Sequence, residues 1–123
     1  MPSVLVVDDE DQVRQLIRTT FEESGYQVLE ASSGTAALEQ YRLTPTDLVV
    51  IDIIMPDQDG LESISTIRHE SPKVKIIAMT GSNDMIGILG ILDVAKMLGA
   101  HRVLHKPFEM KDLLEAAKSI LQA

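Results

Sequence analysis

The sequence predicts a single doubly wound α/β domain, a (βα)5 unit in which helices cover both faces of a five-stranded parallel sheet. Three observations carry this expectation. Short β-branched runs alternate with longer stretches of helical period along the chain, the pattern of successive βα units. The first and third of those runs, Val4–Val7 and Leu48–Ile51, are apolar at every position, as strands buried on both faces are. A length of 123 residues, 45% of them apolar, suits one core, large enough to fold without disulfides or a structural metal.

Taken in order, the strands are expected at Val4–Val7, Gln27–Glu30, Leu48–Ile51, Lys75–Met79 and Arg102–Leu104. The first helix sets Val13, Leu16, Ile17 and Phe21 on one face, at the three-and-four spacing of an amphipathic helix. The second starts at Ser32 or Ser33, either of which can cap it, and runs to about Tyr41; the third runs from about Leu61 to His69. The fourth occupies Met85–Leu98. The last shows Met110, Leu113, Leu114, Ala117 and Leu121 along one stripe. With no linker, repeat or low-complexity stretch, residues 1–123 read as one domain with no output domain attached.

The formal net charge of −8 argues against a surface that neutralises nucleic-acid phosphates or anionic lipid. The chain has no cysteine, which removes disulfides and thiol chemistry and favours a reducing compartment. The apolar run after Met1 is too short for a signal peptide, and no run approaches a membrane span. The cytoplasm is the expected location.

Doubly wound sheets bind ligands beyond the carboxyl ends of their strands, at the point where the strand order reverses. The first strand there runs into Asp8, Asp9, Glu10 and Asp11, the third ends at Asp52, the fourth at Thr80, and the fifth leads through His105 to Lys106 and Pro107. Three crowded carboxylates repel one another unless a cation neutralises them. An all-oxygen site of this kind suits Mg²⁺. Each residue also has a plainer reading: Asp8 and Asp9 as solvated acids near a helix start, Thr80 as a turn cap, Lys106 as a surface lysine. The convergence of four segments on one rim favours the site. His101 and His105 read as solvated loop histidines.

The ordered set of Asp8-Asp9, the run from Asp52 through Met55-Pro56 to Asp59-Gly60, Thr80-Gly81, and Lys106-Pro107-Phe108 resembles the receiver domains of two-component response regulators, the CheY-like family, over essentially the whole chain. The resemblance implies the flavodoxin-like strand order 2-1-3-4-5. It further implies that Asp52 accepts a phosphoryl group from a sensor histidine kinase or phosphotransfer protein. Mg²⁺ is then held by Asp9 and Asp52 directly, by the Ile54 backbone carbonyl, and by Asp8 mostly through water. Thr80 and Lys106 contact the phosphoryl oxygens, and the Lys106–Pro107 peptide bond is cis. The protein so described is a signalling switch rather than a metabolic enzyme, catalysing only its own phosphorylation and dephosphorylation. Its readout is a downstream protein docked on the face of the fourth helix, fifth strand and last helix.

Three features depart from the family pattern. Val103 stands three places before Lys106, where many receivers carry an aromatic residue that rotates on activation. Ile54 and Ser82, two residues beyond Asp52 and Thr80, flank the path of the hydrolytic water, and neither offers a carboxylate or amide to orient it; slow self-dephosphorylation is expected. In Met85–Leu98, the residues Ile86, Ile88, Leu89, Ile91, Leu92, Val94, Met97 and Leu98 cover more than one face. That excess fits either a partner or homodimer surface or a more deeply buried helix, and Gly87 and Gly90 lower its helix propensity.

Other classes fit less well. An aspartyl phosphatase places an acid two residues beyond its nucleophile, where this chain has Ile54. A flavin module needs a donor-rich phosphate loop after the first strand, where this chain has four acids. A phosphorelay intermediate and a constitutive interaction module remain alternatives within the same fold.

Overall fold

A computed structural model describes residues 2–53, 60–80 and 99–122. It contains five strands, β1 (Ser3–Val7), β2 (Gln27–Ala31), β3 (Leu48–Asp52), β4 (Lys75–Thr80) and β5 (Arg102–His105). The helices among the described residues are α1 (Asp11–Glu23), α2 (Gly34–Leu43), α3 (Gly60–Glu70) and α4 (Met110–Gln122). The predicted helix Met85–Leu98 lies outside the described residues, as do Ile54, Met55, Pro56, Asp59, Gly81 and Ser82.

All strand pairs are parallel and the sheet order is β2-β1-β3-β4-β5, the doubly wound arrangement expected from the strand pattern and the resemblance. Each strand extends a residue beyond its expected bounds at one end, because ladder partners continue there: Val7 opposite Ala31, Asp52 opposite Met79, Thr80 opposite His105.

Alternation along the strands divides the apolar side chains between two cores. Leu5, Val7, Val49, Ile51, Ile76 and Ala78 face Ala37 and Tyr41 of α2 and Ile64 and Ile67 of α3. Val4, Val6, Leu48, Val50, Ile77 and Met79 face Ile17 and Phe21 of α1 and Leu113, Ala117 and Ile120 of α4. Burial on both faces explains why β1 and β3 carry no polar residue between Val4 and Val7 or between Leu48 and Ile51.

Two helix faces differ from their expected positions. Leu16 is 54% exposed; it lies roughly 120° around α1 from the midpoint of Ile17 and Phe21 at about 100° per residue, off the side that meets the sheet. In α4 the buried residues are Leu113, Ala116, Ala117 and Ile120, with Leu114 and Leu121 only half-buried. The covered side of α4 is thus centred on Leu113, Ala116, Ala117 and Ile120, turned from the expected stripe. The start of α2 is settled by Ser33, whose hydroxyl accepts from the Ala36 amide at 3.1 Å; this satisfies one donor of the first turn.

Candidate functional site

Because the chain passes from β1 outward to β2 and returns to β3 on the other side of β1, the order reverses between β1 and β3. Asp8 follows β1 and Asp52 ends β3, so both carboxylates stand at that crevice. Asp8 has no exposed surface and Asp52 is 4% exposed. The Lys106 Nζ, arriving from the loop after β5, donates to Asp8 Oδ2 at 2.8 Å and to Asp52 Oδ2 at 3.0 Å. Burial lowers the Lys106 pKa, but the hydrogen bonds and charges of Asp8 and Asp52 outweigh it and leave the ammonium raised above its ordinary value. The lysine is thereby held charged between two acids.

The loops hold these groups in place through the backbone. The Asp8 amide donates to the Ala31 carbonyl at 3.2 Å, the Ile53 amide to the Met79 carbonyl at 2.9 Å, and the Lys106 amide to the Thr80 carbonyl at 2.6 Å. The remaining carboxylate oxygen of Asp8 accepts from the Glu10 amide at 2.9 Å. The Lys106–Pro107 peptide bond is cis.

Asp8, Asp9 and Asp52 each offer a carboxylate oxygen, and these atoms lie within 4.8 Å of one another; Asp9 is exposed while the other two are buried. Such an all-oxygen donor set, open to solvent on the Asp9 side, fits a hard divalent cation that keeps part of its water. Thr80, at the end of β4, has no exposed surface, and its hydroxyl has no hydrogen-bond partner among the described residues. A buried hydroxyl in that condition costs on the order of 1–3 kcal/mol, and this one is available to a ligand bound at the strand ends.

The structure therefore brings Asp8, Asp9, Asp52 and Lys106 together, with the Thr80 backbone hydrogen-bonded to Lys106. Val103 is half-buried, pairs in register with Ala78 of β4, and packs on the core shared with α2 and α3. Ile54 and Ser82 fall outside the described residues.

Three features were not legible beforehand. Lys106 was expected to await an incoming anion, whereas it already neutralises part of the carboxylate charge. Arg14 of α1 also enters the site: its Nη1 donates to the Asp8 carbonyl at 2.9 Å. Its position one turn into a helix after four acids was the available signal. His101 is exposed, as expected, but its Nδ1 accepts from the Ile76 amide at 3.2 Å.

Comparison with known proteins bears on this geometry. The family model described as the response regulator receiver domain matches residues 4–118. The chain is 31% identical to sporulation initiation phosphotransferase F of Bacillus subtilis, over 96% of this chain and 92% of that protein. It is 35% identical to the chemotaxis protein CheY of Halobacterium salinarum, over 98% and 97% respectively. A CheY-like receiver domain structure from Methanospirillum hungatei superposes with a TM-score of 0.90 at 26% identity, covering 99% of this chain and 94% of that one. Several other curated relatives are longer, and the chain spans about half their length, 48% in each case. Among the described residues no helix is long and apolar enough to cross a membrane.

Proposed function

We propose that this chain, which belongs to the response regulator receiver domain family of two-component signalling, is a Mg²⁺-dependent phosphorylation switch whose phosphoacceptor is Asp52. The observation that carries the reading is the Lys106 ammonium shared between Asp8 and Asp52 at 2.8 and 3.0 Å, together with the buried hydroxyl of Thr80, which has no partner among the described residues.

An oxygen of Asp52 bonds to the phosphorus of a kinase phosphohistidine as the P–N bond breaks, and the electron pair leaves with the imidazole. Asp8, Asp9 and Asp52 would hold the cation. When bound, Mg²⁺ supplies charge neutralisation for the phosphoryl oxygens. Lys106 keeps its contact with Asp8 and turns its remaining protons to a phosphoryl oxygen, and the Thr80 hydroxyl donates to another. The added negative charge draws Thr80 and Lys106 together and biases the segments that follow β4 and β5 between two conformations.

Receiver domains interact with kinases and downstream targets in two-component systems. Here the kinase or phosphotransfer protein meets Asp52, and a downstream protein docks on the face of Met85–Leu98, β5 and α4. With Val103 in place of an aromatic, the readout uses strand and loop displacement. Ile54 and Ser82 leave the hydrolytic water unoriented, so the acyl phosphate is long-lived. Similarity over nearly the full length of a protein named a phosphotransferase favours, as a second reading, onward transfer of the phosphoryl group.

The test is incubation with acetyl phosphate, with and without Mg²⁺, followed by intact mass. One added phosphoryl group is expected in the wild type with Mg²⁺, and none in Asp52→Ala. Modification of Asp52→Ala to the same extent, or indifference to Mg²⁺, overturns the reading.

A further inference from the structure

Every hydrogen-bonding group of Asp8 is committed. Its amide is held by Ala31 of β2, one carboxylate oxygen by the Glu10 amide and the other by Lys106. The last, its carbonyl oxygen, belongs to the peptide that joins Asp8 to Asp9, and it is held by Arg14 Nη1 at 2.9 Å. The plane of that peptide sets the direction in which the Asp9 side chain leaves the strand.

Arg14 is itself immobilised. Its Nε donates to Glu30 Oε1 of β2 at 3.1 Å and its Nη2 to Asp11 Oδ1 at 2.6 Å. Glu30 is braced in turn by Arg18 through its other oxygen. Three nitrogens of one planar fork thus reach three acceptors on three segments: the end of β1, β2, and the start of α1. The side chain is 15% exposed, so water competes weakly. A lysine, with a single nitrogen, cannot span the three. The same contacts pair Asp11 and Glu30 with a cation of the protein's own, which leaves Asp9 as the solvent-facing acid of the Asp8, Asp9 and Asp52 group.

We infer that Arg14 is a positioning residue for the cation site, fixing the Asp8–Asp9 peptide so that the two carboxylates meet Mg²⁺ in a preset arrangement. The inference rests on the phosphorylation-switch reading above and adds to it a residue that touches neither the cation nor the phosphoryl group. Partners that orient metal ligands without binding the metal change affinity by about 10–100-fold, and the lower end is expected where a backbone carbonyl is the group held.

The test is Mg²⁺ titration followed by amide NMR in the wild type, Arg14→Gln, Arg14→Lys and Arg18→Gln, with thermal unfolding of each. Both Arg14 variants are expected to bind Mg²⁺ about tenfold more weakly, while Arg18→Gln, which loses only contacts remote from Asp8, stays within about twofold of the wild type. Phosphorylation by acetyl phosphate in the Arg14 variants should recover at saturating Mg²⁺, which a general loss of structure would not allow. Wild-type affinity in Arg14→Gln overturns the inference, and so does full affinity in Arg14→Lys, since charge alone would then suffice. Should neither Arg14 variant fold, Glu30→Leu, which removes the acceptor of the Arg14 Nε, is expected to weaken Mg²⁺ binding severalfold, and unchanged binding there overturns the inference too. A wild type that binds no Mg²⁺ overturns the parent reading, and this inference falls with it.

Discussion

Lys106 Nζ stands 2.8 Å from Oδ2 of Asp8, a carboxylate with no exposed surface that lies 98 residues earlier in the chain. Removing the ammonium takes away the positive charge that Asp8 and Asp52 share. Breaking a buried pair from one side costs about 3–5 kcal/mol, and the partial exposure of Lys106 places this case near or below the lower bound. Lys106→Met should therefore lower the urea-unfolding free energy by about 2–3 kcal/mol, with part of the loss restored by Mg²⁺. Equal stability of variant and wild type without Mg²⁺ would show that the pair contributes nothing.

Thr80 sits at the opposite balance. Its buried hydroxyl is unpartnered among the described residues, so Thr80→Val exchanges a desolvated polar group for a methyl of similar shape. Stability should hold or rise by about 1 kcal/mol. Beryllofluoride with Mg²⁺ should at the same time shift the amide NMR spectrum of the variant much less than that of the wild type. A variant that is clearly destabilised would mean that the hydroxyl already has a partner.

His101 gives a pH signature remote from the site. Burial, then the charges of Arg68 on α3 and Lys75 on β4, hold its pKa below the ordinary value. Its Nδ1 accepts from the Ile76 amide, and the Arg68 Nη2 lies 3.4 Å away. The contribution is complete above the unfolded value of about 6.5 and is lost as pH falls through the folded value, because the unfolded chain takes up the proton first. His101→Asn keeps an acceptor near the Ile76 amide without titrating in this range. The stability of the wild type relative to His101→Asn should fall as the pH drops below about 6.5, and a constant difference measured by chemical denaturation would refute the assignment.

Gly99 adopts φ +120°, and a Cβ there would lie 2.6 Å from Arg68 Nε. Arg68 has little room to yield, since it donates to the Pro72 carbonyl at 2.7 Å and the Gly99 carbonyl at 2.8 Å. Gly99→Ala should cost about 1–3 kcal/mol from backbone strain and lost contacts together. Gly25, at φ +90° with nothing near a built Cβ, isolates the backbone share: Gly25→Ala should cost less. A thermal shift as large at Gly25 would place the whole penalty in the backbone.

How much of this was legible depended on the range of the interaction involved. Strand and helix existence followed from short-range periodicity, and the apolar runs Val4–Val7 and Leu48–Ile51 announced burial on both faces. Helix orientation did not follow as well. Leu16 fits an apolar stripe as readily as Ile17, and only the sheet selects which side of α1 is covered.

The chain's own pattern determined a parallel doubly wound sheet and, through the residue types at four strand ends, an acidic crevice suited to a hard cation and an anion. Those are properties of composition and alternation, which act over a few residues. That Lys106 neutralises Asp8 and Asp52 before any ligand arrives, that Arg14 seizes a carbonyl at the end of β1, and that His101 serves as an acceptor for β4 were decided by tertiary structure. Each joins atoms that become neighbours only when the strands take their places, and the strength of a charged hydrogen bond depends on the water its surroundings exclude.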